Sequence, residues 1–237
     1  MELDVLAIGG HPDDVEITCG GTMIKLADLG KTTGVLDLTE GEMGTLGTPA
    51  ERLEDAARAS KLMGLAVREN LHLPDAALEP SRDNRLRIAS IIRKYRPHTV
   101  ILPFRDKQRH PDHRITSILG YDACFLSGLK KAEIEGQPYR PFKIIYASSF
   151  LAAAHTFFVD ISDQFERKRE AVKAFRSQFD GSAQSRQIYK PGNDIFELMR
   201  VYGRKYGIEV GCQYAEAFMM VEPMLIDDPM AIPVQSI

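Results

Sequence analysis

The stretch that decides the fold is Leu3-Asp4-Val5-Leu6-Ala7-Ile8-Gly9-Gly10-His11-Pro12-Asp13-Asp14. Residues 3–8 are an apolar run interrupted only by Asp4 and closed by Gly9 and Gly10. That is the pattern of a strand buried on both faces of a parallel sheet. The strand then ends in a tight, proline-containing loop that carries a histidine three residues ahead of a carboxylate. The theme returns downstream, where the apolar run 99–102 is followed by His110-Pro111-Asp112-His113.

Outward from these two points, apolar strands alternate with helical patterns. Gly20-Gly21-Thr22 opens a segment with Met23, Ile24, Leu26, Ala27 and Leu29 apolar, and Gly30 closes it as a helix-terminating glycine. Residues 33–38 read as the next strand and 40–48 as a Gly-rich loop. An Ala-rich helix over 50–63 stops at Gly64, a short strand spans 70–73, and a helix over 85–95 is stopped by Pro97. This alternation predicts an α/β fold, a mostly parallel sheet flanked by helices in a single domain. In such sheets ligands bind beyond the carboxyl ends of the strands. Both His-Pro-Asp loops fall there.

The later region changes character. Strands are expected over 143–150 and 157–161, a charged amphipathic helix over 166–179, and a Gly/Ser/Gln surface loop over 181–187. A helix over 195–206 and a strand over 217–221 complete the pattern, and the tail from Pro223 follows no period.

Composition sets the outer bounds. The 237 residues are 44% apolar and 27% charged, ordinary for a globular chain. The net charge of −3 arises from 33 acidic and 30 basic residues with no long basic run, which argues against a nucleic-acid partner. Three scattered cysteines, Cys19, Cys124 and Cys212, offer no disulfide framework and no paired zinc knuckle. No stretch approaches the roughly 20 apolar residues of a membrane span, and no positively charged leader opens the chain. A cytoplasmic protein without a membrane partner is the expectation.

The chemistry lies in the two loops. Either one alone reads more readily as a structural turn, since Asp after Pro is common there. Together, after two buried strands, they supply mixed imidazole and carboxylate ligands for a metal. His11, Asp14 and His113 make a two-histidine, one-carboxylate set, which suits zinc and also non-haem Fe(II). Asp13 is then free to accept a proton, and His110 to act as a general acid or hold an oxyanion. Asp112 is a candidate to orient an imidazole. Spacing does not decide which carboxylate of each pair meets the metal. His72, His98 and His155 read as structural, and Glu40 and Glu42 lie on a loop that could face the same site. Neither Gly20-Gly21 nor the glycines at 41, 44 and 47 complete a nucleotide-binding motif.

Three segments carry a resemblance: 7–14, Thr39-Glu40-Gly41-Glu42-Met43-Gly44-Thr45, and Arg109-His110-Pro111-Asp112-His113. Together they resemble the zinc-dependent N-acetylglucosamine deacetylases of the LmbE/PIG-L family, as does the helix with Arg52, Glu54, Ala56 and Ala57. Ser177-Gln178-Phe179, the stretch around 196–207 and Tyr214-Ala215-Glu216-Ala217-Phe218 look most like the bacillithiol-biosynthesis branch, which deacetylates N-acetylglucosaminyl-malate. The resemblance implies a Rossmann-like fold, Zn2+ held by His11, Asp14 and His113, Asp13 as general base and His110 as stabiliser of the tetrahedral intermediate. It places Arg52 and Arg109, with Arg140 less distinctively, where sugar or malate carboxylates are met. It also implies homo-oligomers, often hexamers. One departure is Leu73-Pro74-Asp75-Ala76, where a glycine after the aspartate is more familiar; the expected effect is on a turn.

Other readings remain open on the sequence: a deacetylase of another N-acetyl sugar, a thiol-conjugate amidase, or a sugar- or metal-binding protein without turnover. Asp13, a carboxylate that coordination does not require, argues against the last. An Fe(II) oxygenase would need a co-substrate site that no motif supplies.

Overall fold

The computed structural model describes residues 1–104, 110–148, 150, 154–179 and 194–234. In chain order the elements are β1 (Val5–Gly9), α1 (Asp14–Asp28), β2 (Thr33–Thr39), α2 (Pro49–Met63), β3 (Val67–Leu73), α3 (Arg82–Tyr95), β4 (Thr99–Pro103) and α4 (Pro111–Leu126). They continue with β5 (Lys143–Ala147), β6 (Phe157–Asp160), α5 (Phe165–Lys173), α6 (Ile195–Val210) and β7 (Ala215–Met219). The seven strands form one sheet in the order β3-β2-β1-β4-β5-β7-β6. Pairs from β3 through β5 are parallel, and β7 is antiparallel to both its neighbours. The fold is the single-domain α/β architecture expected, with a mostly parallel sheet between helices.

Alternation within each strand explains the layering. In β1, Leu6 and Ile8 face one core with α3 and α4 residues such as Ile88, Ile92, Leu119 and Ala123. Val5 and Ala7 face the other, among Val15, Met23 and Ile24 of α1, Ala59 of α2 and Ala171 of α5. Both faces of β1 are therefore desolvated, which is why its sequence is apolar rather than alternating. Chain order reverses between β1 and β4, so the crevice beyond their carboxyl ends is the topological switch point.

Several element boundaries differ from expectation, each for a local reason. Gly20-Gly21 does not open the first helix; α1 starts at Asp14, inside the motif, and is broken at Cys19 (φ −139°, ψ 17°). The break frees the amides of Gly21 and Thr22, which donate to the Glu216 carboxylate at 2.9 and 2.7 Å. Lys168 pairs with the same carboxylate at 2.5 Å. A Cβ at position 21 would lie 2.7 Å from Ile161, so the glycine is there for close packing. The expectation missed α4 altogether; His110 is its N-cap and Pro111 its first residue. α5 ends at Lys173, short of the expected 179, and β7 lies two residues earlier than the pattern suggested. Residues 181–187 lie outside the described residues. No described helix is long and apolar enough to cross a membrane.

Candidate active site

Asp13 is the N-cap of α1, yet its side chain makes no capping bond and its backbone sits at φ 117°. A cap aspartate ordinarily spends its carboxylate on the helix amides. A non-glycine residue at positive φ is strained, and such strain gathers at functional sites. The freed carboxylate instead accepts from Arg52 Nη2 at 3.2 Å. Arg52, buried on the first turn of α2, also donates to the carbonyls of Pro12 at 3.3 Å and Gly41 at 3.1 Å. Gly41 (φ 70°) must be glycine here, because a Cβ would lie 2.5 Å from the guanidinium. Burial pushes the Asp13 carboxyl up to about 6, against the opposing charge of Arg52.

Asp14 turns the other way. Its Oδ2 accepts from the amides of Gly10 at 3.0 Å and His11 at 2.9 Å. Oδ2 is also 3.4 Å from His11 Nδ1, and Oδ1 is 3.0 Å from His113 Nε2. Burial alone would raise this carboxyl, but His113 and His11 outweigh it and hold the group well below the usual range. The sequence-derived set His11, Asp14 and His113 is thus brought together from the loop after β1, the start of α1 and the first turn of α4.

His11 is flanked by carboxylates on both ring nitrogens. Its Nε2 is 2.8 Å from Asp75 Oδ1 and 3.5 Å from Asp112 Oδ2. Burial disfavours the charged ring, yet Asp112, Asp14 and Asp75 overcome this and push it up to about 12. Asp112 therefore lies beside an imidazole as expected, but Asp75 is nearer, and the sequence reading had treated its segment only as a turn. Asp75 accepts from Met43 N at 3.0 Å, and its own amide donates to Glu42 at 2.7 Å. These bonds lash the Gly-rich loop to His11. Ala76, at φ 57°, occupies the turn position where a glycine was expected, and its amide reaches Asp112 at 2.8 Å.

His110 Nδ1 accepts from the Asp112 amide at 3.3 Å, which leaves Nε2 as the protonated, donating nitrogen. Burial, then the neighbouring His11 and His113, lowers its pKa, which favours the neutral ring. The rings of His11, His110 and His113 lie 4.7–5.5 Å apart. One nitrogen from each lies within 4.8 Å of the others, as do ligand atoms of His11, Asp75 and Asp112. This donor set, imidazole nitrogens with an ionised carboxylate between them, fits a divalent metal of the zinc type.

The remaining expected residues part company. Arg109 lies outside the described residues. Arg140 is not at this site: it stacks on Phe125, 4.7 Å from its ring centre, and donates to the Phe125 carbonyl. That is the far end of α4, about 20 Å from His110 at 1.5 Å per residue. Arg140 is thus not brought to the clustered imidazoles within its own chain. His72 pairs with Glu40 at 2.6 Å, His98 packs on Phe142, and His155 meets Ser148 at 3.0 Å, none of them among the clustered imidazoles.

The site geometry coincides with a family match. The PIG-L family, described as GlcNAc-PI de-N-acetylase, matches residues 6–124. The chain belongs to the PIG-L family. Diacetylchitobiose deacetylase of Thermococcus kodakarensis is 34% identical over 234 residues, covering 92% of this chain and 82% of that one. A conserved protein of Thermus thermophilus has a crystal structure 39% identical with a TM-score of 0.85, covering 94% of this chain and 97% of the other. The N,N'-diacetylchitobiose deacetylase of Pyrococcus horikoshii is 30% identical, TM-score 0.78, covering 91% and 82%. As a PIG-L family member this chain is an amide-hydrolysing enzyme.

Proposed function

We propose that this PIG-L protein is a zinc-dependent hydrolase that releases acetate from an N-acetylglucosaminyl conjugate, with N-acetylglucosaminyl-malate as its substrate in bacillithiol biosynthesis. The observation that carries the hydrolytic reading is the division of labour between adjacent carboxylates. Asp14 turns to the two histidines, whereas Asp13 is held apart by Arg52 with a carboxyl poised near neutrality. His11, Asp14 and His113 would hold the zinc. Zinc in such a set supplies Lewis acidity that polarises an amide carbonyl and activates water near neutral pH.

The chain's own groups do the rest. Asp13 accepts the proton of the attacking water and returns it to the departing amine. His110, donating from Nε2, stabilises the oxyanion as it forms. Asp75 and Asp112 fix the His11 ring.

The malate reading rests on the motif resemblance and on Arg109. Arg52 is already committed to Asp13 and two carbonyls. A second reading, deacetylation of a neutral chitobiose-type disaccharide, is favoured by the relatives that bear that activity in their names. Acetate release by the zinc-loaded protein from N-acetylglucosaminyl-malate, diacetylchitobiose and N-acetylglucosamine separates them. Preference for the disaccharide overturns the malate assignment, and no release from any of the three overturns the hydrolytic one.

A further inference from the structure

The mechanism leaves one buried ion cluster unused. Arg68 of β3 forks onto Asp37 of β2, Nε to Oδ2 at 2.6 Å and Nη2 to Oδ1 at 3.1 Å. Its remaining nitrogen, Nη1, donates to Glu16 Oε1 of α1 at 2.5 Å and reaches the Ala56 carbonyl of α2 at 3.4 Å. Glu16 and Asp37 are buried, and the Arg68 side chain is 10% exposed. Strand register explains the meeting. Arg68 pairs with Val35, so it shares a sheet face with Val35 and with Asp37 two residues further on. That face is the one covered by α1 and α2. Burial disfavours the charge on the guanidinium, and Asp37 with Glu16 outweigh it.

Stability alone is a poor account of such a cluster. Two carboxylates share one guanidinium out of water, and well-packed apolar side chains of the same volume often hold a fold as well or better. What an arginine fork adds is direction, since its planar donors fix the groups they meet at defined angles. The second Glu16 oxygen is buried with no hydrogen-bond partner among the described residues. Arg68 is therefore what holds the Glu16 side chain in place among them.

The groups that Arg68 fixes stand directly behind the proposed chemistry. Glu16 lies three residues after Asp13 and Ala56 four residues after Arg52, each about one helical turn from its partner in the Asp13–Arg52 contact. We propose that Arg68 is a positioning residue for catalysis. By holding Glu16, Asp37 and the Ala56 carbonyl, it sets the spacing of the starts of α1 and α2, and so the 3.2 Å contact of Asp13 with Arg52. It acts through those helices and not on the reacting atoms. The inference deepens the reading of Asp13 as general base, and only its kinetic consequence rests on that reading.

The experiment compares the metal-loaded parent protein with Arg68→Lys and with the triple change Arg68→Met, Glu16→Gln and Asp37→Asn. The triple change removes the charges together, so that none is left buried alone. Each protein is measured for kcat and KM of acetate release, bound metal and Tm. A misplacement of about 1 Å can cost roughly 10²-fold, so both variants should lose about 10–100-fold in kcat, with KM within about twofold and metal retained. The triple variant should show this loss at a Tm near that of the parent, which separates positioning from stability; wild-type kcat there would overturn the proposal. In an Arg52→Gln background, Arg68→Lys should cost little more, because the contact it serves is already gone, and full additive losses would also overturn it. A crystal structure of the triple variant reads the geometry without turnover. Asp13 and Arg52 should part beyond hydrogen-bond reach, and an unchanged contact refutes the role of Arg68 whatever the activity. Full activity in Asp13→Asn would instead remove the base reading, and the geometric arm would still decide what Arg68 does.

Discussion

Replacing Asp75 with alanine tests whether the His11 ring is held from behind. At present Nε2 has Asp75 Oδ1 at 2.8 Å and Asp112 Oδ2 at 3.5 Å. After the change only the longer contact remains, outside ordinary N–H···O hydrogen-bond length. Carboxylates that orient a ligating histidine are typically worth 10–100-fold in metal affinity, or about 1.4–2.8 kcal/mol at 1.4 kcal/mol per decade. The Asp75 side chain also accepts from Met43 N, but that loop borders solvent and water can replace the bond. Metal affinity should therefore fall by that factor while the far-ultraviolet spectrum holds. Asp75→Asn keeps an acceptor for Nε2 and should fall between the two. The readout is competition with a chromophoric chelator, run on all three proteins at one pH. Unchanged affinity in Asp75→Ala would refute the argument that the Asp75 contact orients a metal-binding imidazole.

Four further outcomes follow from named contacts. Asp13→Asn should lower kcat by about 10²–10⁴-fold with metal content unchanged; loss of metal instead would exchange the roles of Asp13 and Asp14. Because burial pushes the Asp13 carboxyl up to about 6, its base form is lost as pH drops through that value. The pH–kcat profile should fall on that side, and Arg52→Gln, by removing the opposing positive charge, should shift the limb upward. His113→Ala should bind no metal after dialysis yet remain folded, since a chain of this size has roughly three quarters of its surface buried without it. Ala76→Gly should raise Tm: a left-handed alanine costs about 1–2 kcal/mol, of which the extra freedom of unfolded glycine returns about 0.4–1 kcal/mol. A lower Tm for that variant would contradict the φ of 57° at this turn.

The sheet was legible where burial was two-sided. β1, β2 and β4 have apolar runs because both faces are covered, and their order in the sequence already placed the two His-Pro-Asp loops at one edge. Helix starts were less legible. α1 and α4 begin within the chemical motifs, so the residues that would announce a cap, Asp13 and His110, are turned to other uses. The misplaced opening at Gly20 has a long-range cause: the amides after the Cys19 break are satisfied by Glu216, almost 200 residues away in sequence. No local pattern carries that information.

The site was half legible for the same reason. His11, Asp13, Asp14, His110 and His113 sit in two short segments, so their proximity follows once β1 and β4 are neighbours. Asp75 arrives from the end of β3, beyond β2 in the sheet, and reaches His11 only because the loop after β2 folds across the strand ends. The one sequence signal was the missing glycine at position 76. It was visible as a turn anomaly, and the structure gives it a chemical consequence. Ala76 stays left-handed while its amide bonds both Asp75 and Asp112, at 2.7 and 2.8 Å. One strained turn thus fixes both carboxylates behind His11, as the strained Asp13 fixes the carboxylate in front of it. Backbone strain at these two positions, roughly 1–3 kcal/mol each, is offset by charge-assisted hydrogen bonds of comparable worth, about 1.5–3 kcal/mol each. The site is preorganised by backbone conformation as much as by side-chain identity.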